Sequence, residues 1–157
     1  MGNFAENHNI GQAIATPYVS KPTAIVAAGA GDNTAITGAI IDRYAIDDPL
    51  SVHVALQFSA TLAAAATLTF KTAVVQDGDD SGLSDAATFS ELETSSGSVV
   101  ATGPGGGGTV TGSKEYDVNL EGAKRYIRIN YTPDLSAGAT DTAGVHAVAV
   151  FGGQRVN

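Results

Sequence analysis

Between Leu50 and Phe58 the chain alternates larger apolar side chains with small or polar ones, reading Leu50-Ser51-Val52-His53-Val54-Ala55-Leu56-Gln57-Phe58. In a strand successive side chains point to opposite faces, so Leu50, Val52, Val54, Leu56 and Phe58 share one face. Ser51, His53, Ala55 and Gln57 take the other. This period of two fits a half-buried antiparallel strand and fits a helix badly.

The rhythm recurs. Strands are expected over residues 23–28, 35–41, 50–59, 67–76, 88–92, 98–102, 114–120, 124–132 and 143–151, with Gly, Pro, Asp, Asn and Ser between them. Leu68, Phe70, Thr72 and Val74 are expected to share one face of their strand. Tyr116, Val118 and Leu120 are expected to turn inward, as are Ile127, Ile129 and Tyr131. No helix is expected. Gly103–Gly108, five glycines and Pro104, reads as a loop, as does Pro133–Thr142. Residues 1–22 lack periodicity and read as an extended N-terminal arm, leaving 23–157 as a single β-sandwich domain. The fold class expected is all-β, an antiparallel β-sandwich or jelly roll of about 8 strands.

Charge and composition narrow the function. Sixteen carboxylates against eight Lys and Arg give a net charge of −8, which opposes binding to nucleic acid through its phosphates and favours solubility. The chain has no Trp and ten Phe and Tyr in all, few rings on which to stack sugars or bases. Without cysteine there are no disulfides or thiolate metal sites. No apolar run approaches the ~20 residues that span a bilayer, and Met1–Ile10 lacks the basic residues of a secretory signal. A myristoylation site would want Ser or Thr where Glu6 stands. The expectation is a soluble protein made in a cytosol, with no nucleic-acid or membrane partner.

Candidate chemistry is sparse. Asp77-Gly78-Asp79-Asp80-Ser81-Gly82, with Asp85 further on, matches part of a calcium loop, with Asp77, Asp79, Ser81 and Asp85 as oxygen donors. The terminal bidentate position holds Thr88 instead of Glu, and a solvated hairpin loop explains the same residues. Gly103–Lys114 has the glycines of a phosphate loop, but Gly112-Ser113-Lys114 puts the lysine in the wrong place. His8, His53 and His146 are far apart in sequence, and no Ser occupies a Gly-x-Ser-x-Gly elbow. The reading is therefore a non-enzyme with no catalytic residues, no cofactor and no metal. Residues 77–93 hold six carboxylates and no base, while Lys124, Arg125 and Arg128 cluster. A solvated face explains both; an alternative is contact between the basic stripe and the acidic loop of a neighbouring copy.

The run Gly122-Ala123-Lys124-Arg125-Tyr126-Ile127-Arg128-Ile129-Asn130-Tyr131-Thr132, a loop of small residues, and then Ala143-Gly144-Val145-His146-Ala147-Val148-Ala149-Val150 resembles the closing hairpin of tailed-phage capsid decoration (cement) proteins. The stretch from Leu50 through Val74-Val75-Gln76-Asp77-Gly78-Asp79-Asp80 is similar to theirs too. The resemblance covers residues 36–151. It implies a jelly-roll sandwich on the outside of a phage head, often a homotrimer at three-fold positions, whose partner is the major capsid protein. It implies a virion protein of the capsid exterior, assembled in the host cytoplasm and without catalytic residues. Residues 1–22 and 103–108 have no counterpart in it and are expected to touch neighbouring subunits. The competing expectation is a calcium-dependent carbohydrate- or surface-binding sandwich of a viral appendage, built on the Asp77–Asp85 loop.

Overall fold

The computed structural model describes residues 14–136 and 140–154. Its strands are β1 (Thr23–Val26), β2 (Ile36–Thr37), β3 (Ile41–Asp42), β4 (Pro49–Leu62), β5 (Thr67–Gly78), β6 (Ala87–Glu91), β7 (Ser98–Thr102), β8 (Gly108–Asn119), β9 (Tyr126–Leu135) and β10 (Thr142–Gln154). A turn of 3₁₀ helix, Arg43–Ile46, precedes β4, where no helix was expected. Asp42 caps it by accepting from the Tyr44 amide.

The ten strands fill eight positions. β2 and β3 both pair with β9. They are separated where the Gly38 amide donates to both the Ile129 carbonyl and the Asn130 side chain, 3.1 Å each. β6 and β7 likewise pair with opposite halves of β5. The first sheet runs β1-β10-β4-β8 and the second β2/β3-β9-β5-β6/β7, all pairings antiparallel. Numbered by position, these orders are 1-8-3-6 and 2-7-4-5, as when one long hairpin wraps around a core. The fold is a jelly-roll β-sandwich.

The alternation holds from Val52 onward: Val52, Val54, Leu56, Phe58, Ala60 and Leu62 are buried, and the residues between them face outward, while Leu50 at the start of the row is only half-buried. Ile127, Ile129 and Tyr131 are fully buried as expected, and Val118 and Leu120 are buried. Tyr116 is half-buried.

The strand expected over 35–41 is split into β2 and β3, with residues 38–40 outside both, and three further expectations need correction. In β5 the inward residues after Phe70 are Ala73, Val75 and Asp77, not Thr72 and Val74. Thr72 takes a positive φ of 44°, the pairing with β9 shifts between Lys71 and Val74, and this bulge moves the inward phase by one residue. β8 begins at Gly108, six residues before the expected strand, because residues 108–119 pair continuously with β4. Gly112 belongs there because a Cβ would lie 2.9 Å from the Phe58 ring. Finally, β9 continues through Pro133 to Leu135, where a loop was expected. Pro133 gives up no needed donor, and its carbonyl accepts from the Asn33 amide at 2.9 Å.

The core is one continuous cluster from both inner faces, including Ile25, Leu56, Leu68, Phe70, Val75, Ile129, Tyr131 and Phe151. Side chains of this size each contribute about 1.5–3 kcal/mol on burial. Asp32 fastens the β1–β2 connection to it, accepting from the Ala28 and Leu135 amides at 2.8 Å each. Replacing Asp32 by Ala leaves both donors without this carboxylate and is expected to cost about 1–3 kcal/mol, read by urea denaturation. A loss under about 0.5 kcal/mol would mean that water replaces the carboxylate.

Candidate interaction surfaces

The calcium-like loop connects β5 to β6, and its carboxylates are turned onto their own chain. Asp77 is buried at the end of β5 and accepts from the Lys124 amide at 2.9 Å. Asp85 accepts from the Asp79 and Asp80 amides at 2.8 and 3.2 Å. Asp80 accepts from Gly82 and Ser84 at 2.9 and 3.2 Å. The Lys124 ammonium stands 3.3 Å from Asp79 and 3.6 Å from Asp85, supplying positive charge between two of the proposed ligands. Ser81 is exposed. Among the described residues no group of three or more His, Asp or Glu is arranged to hold a metal ion. Millimolar calcium is expected to leave the melting temperature unchanged in calorimetry. A rise of several degrees would mean that the loop opens to exchange its amides and Lys124 for metal.

These bonds favour the ionised carboxylates. The Ser84 and Gly82 amides hold the Asp80 carboxyl below its usual value, and the Asp79 and Asp80 amides do the same for Asp85. The Arg125 guanidinium lowers Asp42. Because the folded values lie below the unfolded ones, the unfolded chain takes up protons first as pH falls. This stabilisation is complete above the unfolded Asp value of about 3.9 and disappears as pH falls through the folded values. Acid melts are expected to show stability dropping below about pH 4, with a smaller drop in Asp80→Asn. An identical pH profile for that variant would refute the assignment.

The basic stripe is satisfied within the chain. Lys124 meets the chain's own acidic loop, so this structure gives no support to pairing with a neighbour's. Arg125 forms a two-pronged bond with Asp42, Nε to Oδ1 at 3.0 Å and Nη2 to Oδ2 at 2.8 Å. Its guanidinium also lies 5.2 Å from the Tyr44 ring centre and 5.0 Å from that of Tyr126. Arg128 and Asn130 both donate to the Gln76 side-chain oxygen, at 2.8 and 2.7 Å. No spacing in the sequence reveals the hydrogen-bond partners of Arg125, Arg128 and Asn130, because Asp42 and Gln76 lie more than fifty residues away from them in the chain.

The histidines do not converge. His53 lies opposite Val150 and His146 opposite Gln57 in the β4–β10 register, placing them about 13 Å apart along the sheet at ~3.3 Å per residue. His53 Nδ1 is 2.8 Å from Asp117, and its Nε2 is 3.8 Å from Glu115. Ser51, on the same face, donates instead to the Gly152 carbonyl at 3.2 Å. His8 lies outside the described residues.

The two segments expected to touch neighbours are differently placed. Of the arm, residues 14–22 run back over the sandwich. Ala15 exchanges two backbone hydrogen bonds with Phe151 at 3.0 and 2.8 Å, and Val19 is buried. Ser20 Oγ accepts from the Ala147 amide at 2.8 Å and lies 3.3 Å from the Tyr131 hydroxyl. Residues 1–13 lie outside the described residues. In the glycine loop, Gly103 is buried and exchanges backbone bonds with Ala65 and Ala66. Pro104, Gly105 and Gly106 form an exposed tip, closed by a bond from the Gly107 amide to the Pro104 carbonyl at 2.7 Å.

The ends of the sandwich differ sharply. At one end lie Asp42, Asp47, Asp48, the Asp79–Asp85 loop, Glu121, Lys124 and Arg125. At the other, the loops after β1, β4, β7 and β9 meet one another. Outside residues 137–139, these loops are built from Ala, Gly, Ser, Thr, Pro and Asn, with two carboxylates. Asp32 is spent on backbone amides as described, and Asp141, buried, accepts from the Ala63 amide at 2.7 Å.

No protein-family model matches the chain, and no curated protein matches it. Among solved structures, one titled "Structure of infectious bursal disease virus Gx strain" aligns with 89% of this chain and 33% of that one, at 13% identity and a TM-score of 0.47. The chain thus spans about a third of the length of the chain it matches.

Proposed function

We propose that this chain is a structural virion protein. In this reading it binds the outer surface of a phage capsid in many copies, as homotrimers, and stabilises the shell by bridging neighbouring coat subunits. It works by docking and has no catalytic role. One observation carries the reading: the polar groups that cluster are committed to holding a jelly-roll body together. Asp32, Asp80, Asp85 and Asp141 bind loop amides, Asp42 grips Arg125, and buried Arg43 binds surrounding carbonyls. A rigid body that spends its ionisable groups this way suits a brick better than a catalyst, whose groups must be poised for reaction. The resemblance of residues 36–151 to decoration proteins points the same way. Jelly rolls also serve as lectin domains, so the fold alone does not choose the function. Multiplicity on a symmetric shell would offset weak individual contacts.

The test adds purified protein to heads assembled without it. Saturable co-sedimentation and greater resistance of the heads to heat or chelator are expected. Failure to bind, with no gain in resistance, would refute the proposal.

A further inference from the structure

We infer that Lys114 keeps the outer edge of β8 from pairing with the same edge of a second copy of the chain. The inference stands apart from the proposed docking role and needs no capsid.

The two sheets have four edges, and three of them are short or interrupted. β1 has four residues, β2 and β3 have two each, and β6 and β7 have five each, with a register shift in both of their pairings with β5. β8 instead runs twelve residues along β4 with no register shift and no proline. A long, regular edge of this kind is a template for another strand. The Leu120 amide donates to the Leu50 carbonyl at 2.8 Å, which sets the phase of the ladder. Even-numbered residues of β8 bond to β4, and odd-numbered ones turn their backbone groups away from it. The amides and carbonyls of Thr109, Thr111, Ser113, Glu115, Asp117 and Asn119 thus point off the edge. Among the described residues none of them bonds to another element.

Two copies can match these groups antiparallel about a two-fold axis. One register uses all six residues: Thr109 opposite Asn119 of the second copy, Thr111 opposite Asp117, and Ser113 opposite Glu115. On the inner face the same register sets Val110 against Val118 and Gly112 against Tyr116. None of these pairs opposes like charges. The centre of the register is Lys114 against Lys114, in a pair without mutual hydrogen bonds, where side chains come closest. Like charges directly opposite are unfavourable, and pairing would also strip water from both. Lys114 is out of pattern at this position. Its row on β8 otherwise holds glycine and the apolar Val110, Tyr116 and Val118, which pack on or in the core. The folded chain gains little from it. Its ammonium stands 3.8 Å from Glu93 and 5.8 Å from the Tyr116 ring centre on a side chain 40% exposed, and such surface pairs contribute little. Glu93 already accepts from the Ser98 and Tyr116 hydroxyls at 2.8 and 2.9 Å.

The experiment compares the parent with Lys114→Thr, Lys114→Arg and Lys114→Thr/Ser113→Pro. The readouts are sedimentation over a concentration series, amide hydrogen exchange and thermal melting. Lys114→Thr is expected to associate about tenfold more tightly than the parent, and to protect the six odd-numbered amides as it does so. Lys114→Arg keeps the charge and should associate within about twofold of the parent. Ser113→Pro removes an amide that β4 does not use, so adding it should undo the association without lowering the melting temperature. Lys114→Thr associating no more than the parent would overturn the inference. Association that survives Ser113→Pro would do so too, because it would run through another surface. Protection of the six amides in the parent would mean that the edge is already paired and that Lys114 guards nothing. Should Lys114→Thr melt early, Lys114→Gln, which removes the charge and keeps a long side chain, decides the matter by the same readouts.

Discussion

Replacing Arg43 by Ala is expected to lower stability by about 3–5 kcal/mol, and the melting temperature by roughly 10 °C for a chain of this length. The side chain is 3% exposed. Its guanidinium donates to the carbonyls of Ala123, Lys124 and Pro49, the last two at 3.1 and 3.0 Å, and pairs with Asp48 at 2.8 Å. One planar fork thereby ties the 3₁₀ turn to the start of β4 and the β8–β9 connection. Alanine removes the only side chain among the described residues that reaches those three carbonyls, and it withdraws the cation from Asp48. Arg43→Lys is expected to recover only part of the loss, since an ammonium cannot reproduce the spread of a guanidinium. Chemical denaturation of the three proteins decides it. A cost below about 1 kcal/mol for Arg43→Ala would mean that water or rearranged loops satisfy the carbonyls.

Arg43 also shows where sequence reading stops. Alternation marks a residue that repeats every second position, so β4, the second half of β8 and the inward row of β9 are legible in the sequence alone. Thr72 defeats the same reading. Alternation assumes an unbroken pleat, and a bulge shifts the phase while leaving composition untouched. The start of β8 escapes because Gly108 and Gly112 look like loop residues in isolation, yet they have β4 to pair with. Pairing is a long-range property, and no local pattern reports it. The same limit hides Arg43, whose partners sit 5 to 81 residues away.

The candidate surfaces are legible in composition and illegible in arrangement. The acidic loop and the basic stripe are both visible as runs. That Lys124 folds back onto Asp79 and Asp85 is not, because the β8–β9 connection reaches the β5–β6 loop only once β9 has paired with β5. The loops after β1, β4, β7 and β9 are each recognisable as runs of small residues. Their convergence at one end follows from the nested order of the jelly roll, which brings alternate connections together.

Phe70→Ala is expected to cost about 3–5 kcal/mol, and how that cost divides identifies what joins the two layers. Phe70 of β5 is fully buried. It meets Phe58 of the opposite sheet edge-on at 6.2 Å between ring centres, and Tyr131 of its own sheet at 5.7 Å and 88°. The Tyr131 hydroxyl lies beside Ser20, whose oxygen accepts from the Ala147 amide of β10. The ring cluster therefore reaches both sheets and the docked part of the arm. Tyr131→Phe keeps the ring and removes the hydroxyl, so it should cost only about 1 kcal/mol. Phe70→Leu, which refills most of the volume without the ring, should fall between the two. A double-mutant cycle between Phe70 and Tyr131 should return a coupling of about 0.5–1.5 kcal/mol for the edge-to-face contact. If Phe70→Ala costs less than about 2 kcal/mol, the layers are held by their aliphatic rows and the rings merely fill space. A full cost with no measurable coupling would assign the effect to lost volume. The expected pattern, a large loss that includes a real pairwise term, would mark the ring cluster as the joint between the two sheets and the docked part of the arm.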